Sequence, residues 1–244
     1  MRTGATLLMT RPRDANTRFL GLLPEDMLSR LAVIQSPLLD IVPVADGLDL
    51  NACSAVIFTS GEGVRVASEK TNLRPKAFCV GRRTTEYAHA AGWAADYVGA
   101  QSDDLVDWFL TNRPVGKFIH LHGECTRGKI AQRLAQSGLN CHDQVIYQQR
   151  LRNFTPEAMA AVTAQIPLIV PLFSPRTAAH FVSLCPDMSH LILIAMSDAV
   201  AEALPRLQSH SVHVSKAPTA IAMAELLRDV AAPFVRVETG QPGD

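Results

Sequence analysis

Hydroxyl, glycine and arginine residues recur in this chain at one kind of place, the turn that follows an apolar run. The positions are Arg11; Thr59, Ser60 and Gly61; Gly81, Arg82 and Thr84; His122, Gly123 and Arg127; Ser174 and Arg176; and Ser197. Each turn stands where a strand pattern gives way to a helix pattern. A helix start leaves backbone N–H groups unpaired and carries about half a positive charge. An arginine beside it completes a site for a carboxylate or a phosphate. Repeated over several turns, this points to an anionic small molecule with more than one charged arm. Ser and Thr at such places also cap helices, so each position alone fits two readings.

Other chemistries lack their residues. There is no G-x-G-x-x-G turn, no phosphate-loop lysine, no serine nucleophile elbow and no kinase signature. His120 and His122 share one face of a strand, but no third ligand stands at a useful spacing, so no metal is expected. The cysteines Cys53, Cys79, Cys125, Cys141 and Cys185 are scattered without a CxxC pair, which fits a reducing cytoplasm. Lys plus Arg and Asp plus Glu both number 23, so no basic field invites nucleic acid. Apolar runs are too short for a signal peptide or a bilayer span, so no membrane role is expected. No long apolar stripe calls for a second subunit, and a monomer is expected.

The elements that must carry these turns follow from the apolar pattern. Ala55–Phe58 reads as a buried strand, followed by Thr59, Ser60 and a helix start. Leu168–Phe173, Ser174 and Pro175 repeat that order. Two strand–Phe–Ser–helix units imply two similar half-proteins. Strands are expected at 5–9, 55–58, 77–80, 96–98, 117–121, 139–142, 168–173, 191–195 and 211–214. Helices are expected at 15–23 with a second piece to 31, and at 62–69, 83–91, 102–111, 126–136, 155–163, 175–183, 197–207 and 218–230. Gly92 and Gly138 read as helix ends, and Ser102 as a helix cap. Alternating strand and helix imply an α/β fold of mainly parallel sheets flanked by helices. The Phe118–Gly123 unit repeats the N-terminal pattern, so the first strand belongs with the last third of the chain. The expected organisation is therefore a discontinuous α/β domain, 1–36 with 152–236, and a second α/β domain at 45–143. Extended segments 37–44 and 144–151 would pair as a two-stranded ladder between them, and 237–244 would be a flexible tail.

Several short motifs, taken together in order, narrow this further. They are Thr10-Arg11-Pro12, the Pro37–Pro43 connector, Val56–Ser60 with Val64, Val80-Gly81-x-x-Thr84, Gly123, Val145-Ile146-Tyr147 and Phe173-Ser174-Pro175. In this the chain resembles the uroporphyrinogen-III synthase family over nearly its whole length. The resemblance implies two α/β domains joined by a β ladder. It implies cyclisation of a linear tetrapyrrole, hydroxymethylbilane, with loss of water and inversion of ring D. It implies no metal and no organic cofactor. The carboxylate arms of that substrate would occupy the arginine and N–H turns, in a cleft between hinged domains. Tyr147 is then the candidate catalytic group near the leaving hydroxyl, with Thr84 and Ser60 as substrate contacts. A tyrosine that merely packs in a connector strand is the alternative. Two departures stand out: Ala195 replaces an expected glycine turn, and Glu62 puts an acid beside Ser60. A non-enzymatic two-domain binder of an anion, or an inactive member of the family, are the rival readings.

Overall fold

The computed structural model describes residues 5–44, 47–126, 128–205 and 211–235. Arg127 and the 237–244 tail lie outside the described residues. The chain forms two compact units, Met1–Asp40 with Leu151–Asp244, and Ile41–Arg150. The N-terminal run is β1 (Thr6–Met9), α1 (Arg13–Leu20), α2 (Glu25–Leu28), β2 (Ala32–Gln35) and β3 (Leu39–Pro43). Then come β4 (Ala55–Phe58), α3 (Gly61–Lys70), β5 (Lys76–Val80), α4 (Arg82–Ala90), β6 (Ala95–Gly99) and α5 (Ser102–Asn112). β7 (Phe118–Gly123), α6 (Ile130–Gln136) and β8 (Cys141–Leu151) follow. The last third holds α7 (Pro156–Thr163), β9 (Leu168–Leu172), α8 (Pro175–Leu184), β10 (Leu191–Ala195), α9 (Asp198–Ala201), β11 (Ser211–Val214) and α10 (Ala220–Val235).

The continuous unit is built on a six-stranded sheet ordered β3-β8-β7-β4-β5-β6. From β8 to β6 every pairing is parallel. Its middle strand shows why. Val56 and Phe58 face one core with Val64, Val66, Ala88 and Trp93. Ala55 and Ile57 face the other with Leu105, Phe109, Ile130 and Leu134. A strand buried on both faces has to be apolar at every position, as Ala55–Phe58 is. β3 runs antiparallel to β8, since Val44 N–H donates to the Ile146 carbonyl while Arg152 N–H donates to that of Leu38. The ladder formed by these segments is thus the edge of this sheet, and both crossings between the units fall within it.

The discontinuous unit has a five-stranded parallel sheet ordered β11-β10-β9-β1-β2. Its connectivity repeats the order β6-β5-β4-β7-β8 of the other unit. β9 corresponds to β4, and β1 to β7. The strand–Phe–Ser–helix echo is therefore a true structural equivalence.

Four details differ from the sequence expectation. β2 forms at 32–35, where no strand was expected; its apolar part, Ala32–Ile34, is only three residues long and its side chains are exposed or half-buried at the sheet edge. Segments 139–142 and 144–151 are one strand, β8. Helix α6 starts at Ile130 rather than 126, because Gly128 (φ 87°) and Lys129 (φ 45°) hold left-handed backbone. Helix α9 spans only Asp198–Ala201 of the expected 197–207. Gly92 and Gly138 both take φ of 82° just past helix ends, the left-handed conformation that suits glycine.

The start of α5 is held differently from the Ser102 expectation. The Asp104 carboxylate accepts from the N–H groups of Ala100 (2.7 Å) and Gln101 (2.9 Å). Asp104→Ala should cost about 1 kcal/mol of stability, the usual worth of a cap. Ser102→Ala should cost under about half of that. Chemical denaturation of the two variants checks this, and equal losses would contradict it.

Candidate functional site

The parallel strands of the continuous unit end together, at Thr59, Gly81 and Gly123, and their last residues form one rim. Tyr147 reaches that rim through an irregularity in β8. Pairing of β7 with β8 keeps one register from Phe118↔Cys141 to His122↔Val145, then jumps to Gly123↔Tyr147. The bulge skips Ile146. In a regular strand, neighbouring side chains point to opposite faces. Here Ile146 and Tyr147 both join the same core.

The opposing residue has to be glycine. A Cβ on Gly123 would lie 2.4 Å from Tyr147 Cε2 and 2.5 Å from Cζ. The ring lies on bare backbone, 6% exposed, with Glu124 N–H donating to the Tyr147 carbonyl at 3.0 Å. Its phenol meets Ser60 Oγ at 3.1 Å. Ser60 is the cap of α3 and accepts from Gly63 N–H at 3.0 Å. Burial pushes the Tyr147 phenol above its ordinary pKa, and the Glu62 charge adds to this. Hydrogen bonds from Ser60 and the Gly123 backbone pull the other way. The result is a protonated phenol at neutral pH, able to donate.

The other rim residues of this unit surround that pair. Gly61 opens α3, and a Cβ there would stand 3.0 Å from the Tyr87 ring. Gly81 takes φ of 84° and caps α4, donating its N–H to the Gly99 carbonyl at 2.8 Å. Thr84 is buried in the first turn of α4, while Arg82 is exposed with its guanidinium 4.9 Å from the Tyr97 ring. On the opposite face of the sheet, Thr59 Oγ1 meets His120 Nε2 at 3.4 Å. His122 stacks on His120 with ring centroids 4.6 Å apart. Its Nδ1 donates to the Gly123 carbonyl at 2.7 Å, and Nε2 faces Asp143 Oδ2 at 3.2 Å. Among the described residues no His, Cys, Asp or Glu trio has the geometry of a metal site.

In the discontinuous unit, Ser174 occupies the place equivalent to Ser60. It caps α8 and accepts from Thr177 N–H at 3.2 Å. Arg176 is exposed one turn-position later. Arg11 lies with its guanidinium 4.1 Å from the Phe173 ring, so β1 and β9 end side by side. Ser197 stands at the neighbouring β10 end, where its side chain makes no cap bond to α9. A cavity of about 570 Å³ in this unit is lined by Arg13, Asp40, Arg152 and Asn153, among others. Sequence reasoning made none of them a site candidate, although Arg13, the first residue of α1, stands two positions after Arg11. It also missed Asp143, whose only signal is its place in a polar stretch of β8.

The family model described as "Uroporphyrinogen-III synthase HemD" matches residues 30–225. The chain belongs to the uroporphyrinogen-III synthase family. Solved structures agree in fold. The uroporphyrinogen-III synthetase of Helicobacter pylori 26695 superposes with a TM-score of 0.66 at 15% identity, covering 93% of this chain and 99% of that one. A mutant uroporphyrinogen III synthase of the extremely thermophilic bacterium Thermus thermophilus gives 0.50 at 14% identity, covering 94% and 99%. No curated protein sequence matches the chain significantly.

Both departures from the family pattern have a local explanation. Glu62 does not stand bare beside Ser60, because Arg65 Nε pairs with its carboxylate at 2.9 Å. Ala195 ends β10 with no positive φ there, and Ser197 is extended at φ −162°, so this turn makes no demand for glycine.

His120 carries a pH signature of this site. Its pKa falls from 6.5 to about 3, chiefly through burial and then through the neighbouring His122, with Asp143 opposing. The folded ring stays neutral while the unfolded chain takes up a proton below 6.5. Stability from this group is complete above pH 6.5 and is lost as pH falls from there towards 3. The slope reaches at most about 1.4 kcal/mol per pH unit. His120→Asn should flatten this part of the stability–pH curve. Identical acid sensitivity in both proteins would contradict it.

Proposed function

We infer that this chain closes hydroxymethylbilane into uroporphyrinogen III, releasing water and inverting ring D, a step of haem biosynthesis. One observation carries the reading beyond family membership: a protonated, buried phenol at the strand-end rim, hydrogen-bonded to a helix-capping serine.

The chemistry suits such a group. Pyrrole electrons expel the hydroxyl and leave an azafulvene cation, so little acid strength is needed. A phenol donor supplies the proton that makes the leaving oxygen water. Ring D must then be attacked at its substituted carbon, through a spiro intermediate, faster than at its free carbon. That is a matter of holding the chain in one geometry. Ser60, Thr84, Thr59 and the N–H group at Gly61 are the holding groups of this unit in our reading, with Gly81, Arg82, His122 and Gly123 beside them; Arg127, which lies outside the described residues, is proposed as a further substrate contact. Arg11, Ser174, Arg176 and Ser197 offer the same chemistry in the discontinuous unit. Neither metal nor organic cofactor enters this scheme. We further propose that the enzyme acts as a cytoplasmic monomer. Scattered free cysteines support the reducing compartment, the lack of a long apolar stripe in the sequence supports the monomer, and among the described residues no helix is long and apolar enough to cross a membrane.

Freshly made hydroxymethylbilane, given to the purified protein, should yield the type III isomer. The type I isomer alone, at the spontaneous rate, would overturn the reading and favour a binding protein. Tyr147→Phe should slow formation of type III by about tenfold, less than the roughly hundredfold of a full general acid, because expulsion is already driven by the pyrrole. An unchanged rate would remove Tyr147 from the mechanism.

A further inference from the structure

We propose that His122, braced by Asp143, is a positioning residue for Tyr147, acting through the Gly123 peptide. This rests on the reading of Tyr147 just given and gives His122 and Asp143 a part in it that works through the support of the phenol.

The geometry lies in three contacts and a break in register. The Gly123 backbone is the surface on which the Tyr147 ring rests, and there is no clearance, since even a methyl would overlap the ring. The β7–β8 register breaks between His122 and Gly123, so regular pairing ceases just where the ring needs support. His122 Nδ1 donates to the Gly123 carbonyl at 2.7 Å, across that break. Nε2 faces Asp143 Oδ2 at 3.2 Å, on the still regular part of β8 where His120 pairs with Asp143.

The imidazole therefore ties the irregular end of β7 back to the regular part of its partner. Both ring nitrogens face oxygen acceptors, the Gly123 carbonyl on one side and the Asp143 carboxylate on the other. The ring is 5% exposed and stacks on His120, which restricts its rotation. Tyr147 belongs to the core on one face of the sheet. The brace works from the other, leaving the phenol face clear. If the Gly123 carbonyl turns, the peptide plane under the Tyr147 ring turns with it, and the phenol leaves its 3.1 Å contact with Ser60.

A residue that acts through Tyr147 cannot cost more than Tyr147 itself, and its effect must vanish when the phenol is gone. A double-mutant cycle of His122→Gln with Tyr147→Phe reads both conditions. His122→Gln should lower kcat for the type III isomer about fivefold in the wild-type background, and by less than about twofold in the Tyr147→Phe background. KM should move less than about twofold in either.

Asp143→Ala provides a second arm. The Asp143 side chain is 58% exposed, so removing it leaves folding largely undisturbed even if His122→Gln unfolds the protein. It should lower kcat about threefold with the same dependence on Tyr147, and Asp143→Asn, which restores an acceptor oxygen, should recover most of the loss. Effects of either variant that multiply with that of Tyr147→Phe would overturn the proposal and leave His122 a structural histidine. So would full activity of both variants while Tyr147→Phe remains slow. An active Tyr147→Phe would instead sink the underlying reading of Tyr147, a separate result.

Discussion

A tyrosine ring lying on a glycine with no clearance is the constraint on which the rest of this site depends. Tyr147 is buried and faces Ser60 because a bulge in β8 turns it onto Gly123, and that burial raises the pKa of its phenol. Any side chain at Gly123 would occupy the ring's space. A regular register would send Tyr147 to the opposite face, among Ile130, Leu134 and the histidines. The bulge costs the sheet regular ladder pairing, and this departure from an ordinary sheet coincides with the candidate chemistry.

Duplication explains why the rest of the rim looks as it does. Both units thread their strands in the same order, and both place a capping serine after the strand equivalent to β4. Ser60 and Ser174 each satisfy an otherwise unpaired N–H of their helix. The duplicate is not exact where it counts. β1 is followed by Thr10 and Arg11, where β7 ends in His122 and Gly123, and Arg11 stacks on Phe173. The glycine that accepts an aromatic ring occurs in the continuous unit. At the equivalent place in the discontinuous unit, Arg11 lies over the Phe173 ring.

Much of the fold is legible in the chain, because buried parallel strands are apolar throughout. Ala55–Phe58 and Leu168–Leu172 announce themselves, and their repetition announces two units of one kind. β2 is not legible, since Ala32–Gln35 is a short edge strand with half-exposed side chains. The unity of β8 is hidden by the polar residues His142, Asp143 and Gln144 near its start. The hydroxyl and glycine turns can be read as helix starts from local chemistry alone. The contact of Tyr147 with Gly123 and Ser60 cannot, because it depends on a one-residue slip between strands, and register is a property of the pair. Asp143 escapes for the same reason. Nothing near it in sequence indicates that it faces His122.

The central physical claim is that Tyr147 is held as a buried, protonated phenol against Ser60. The chain has three tyrosines, so with Tyr87 and Tyr97 replaced by Phe, Tyr147 is the only phenol left. Its ionisation can then be followed by ultraviolet difference absorbance. The account predicts a transition above pH 10.0, the value of an unperturbed tyrosine, with a return to about that value in the Gly123→Ala form of the same protein. A transition at or below pH 10.0 in the parent would contradict it, because the phenol would then be in contact with water rather than buried on the glycine.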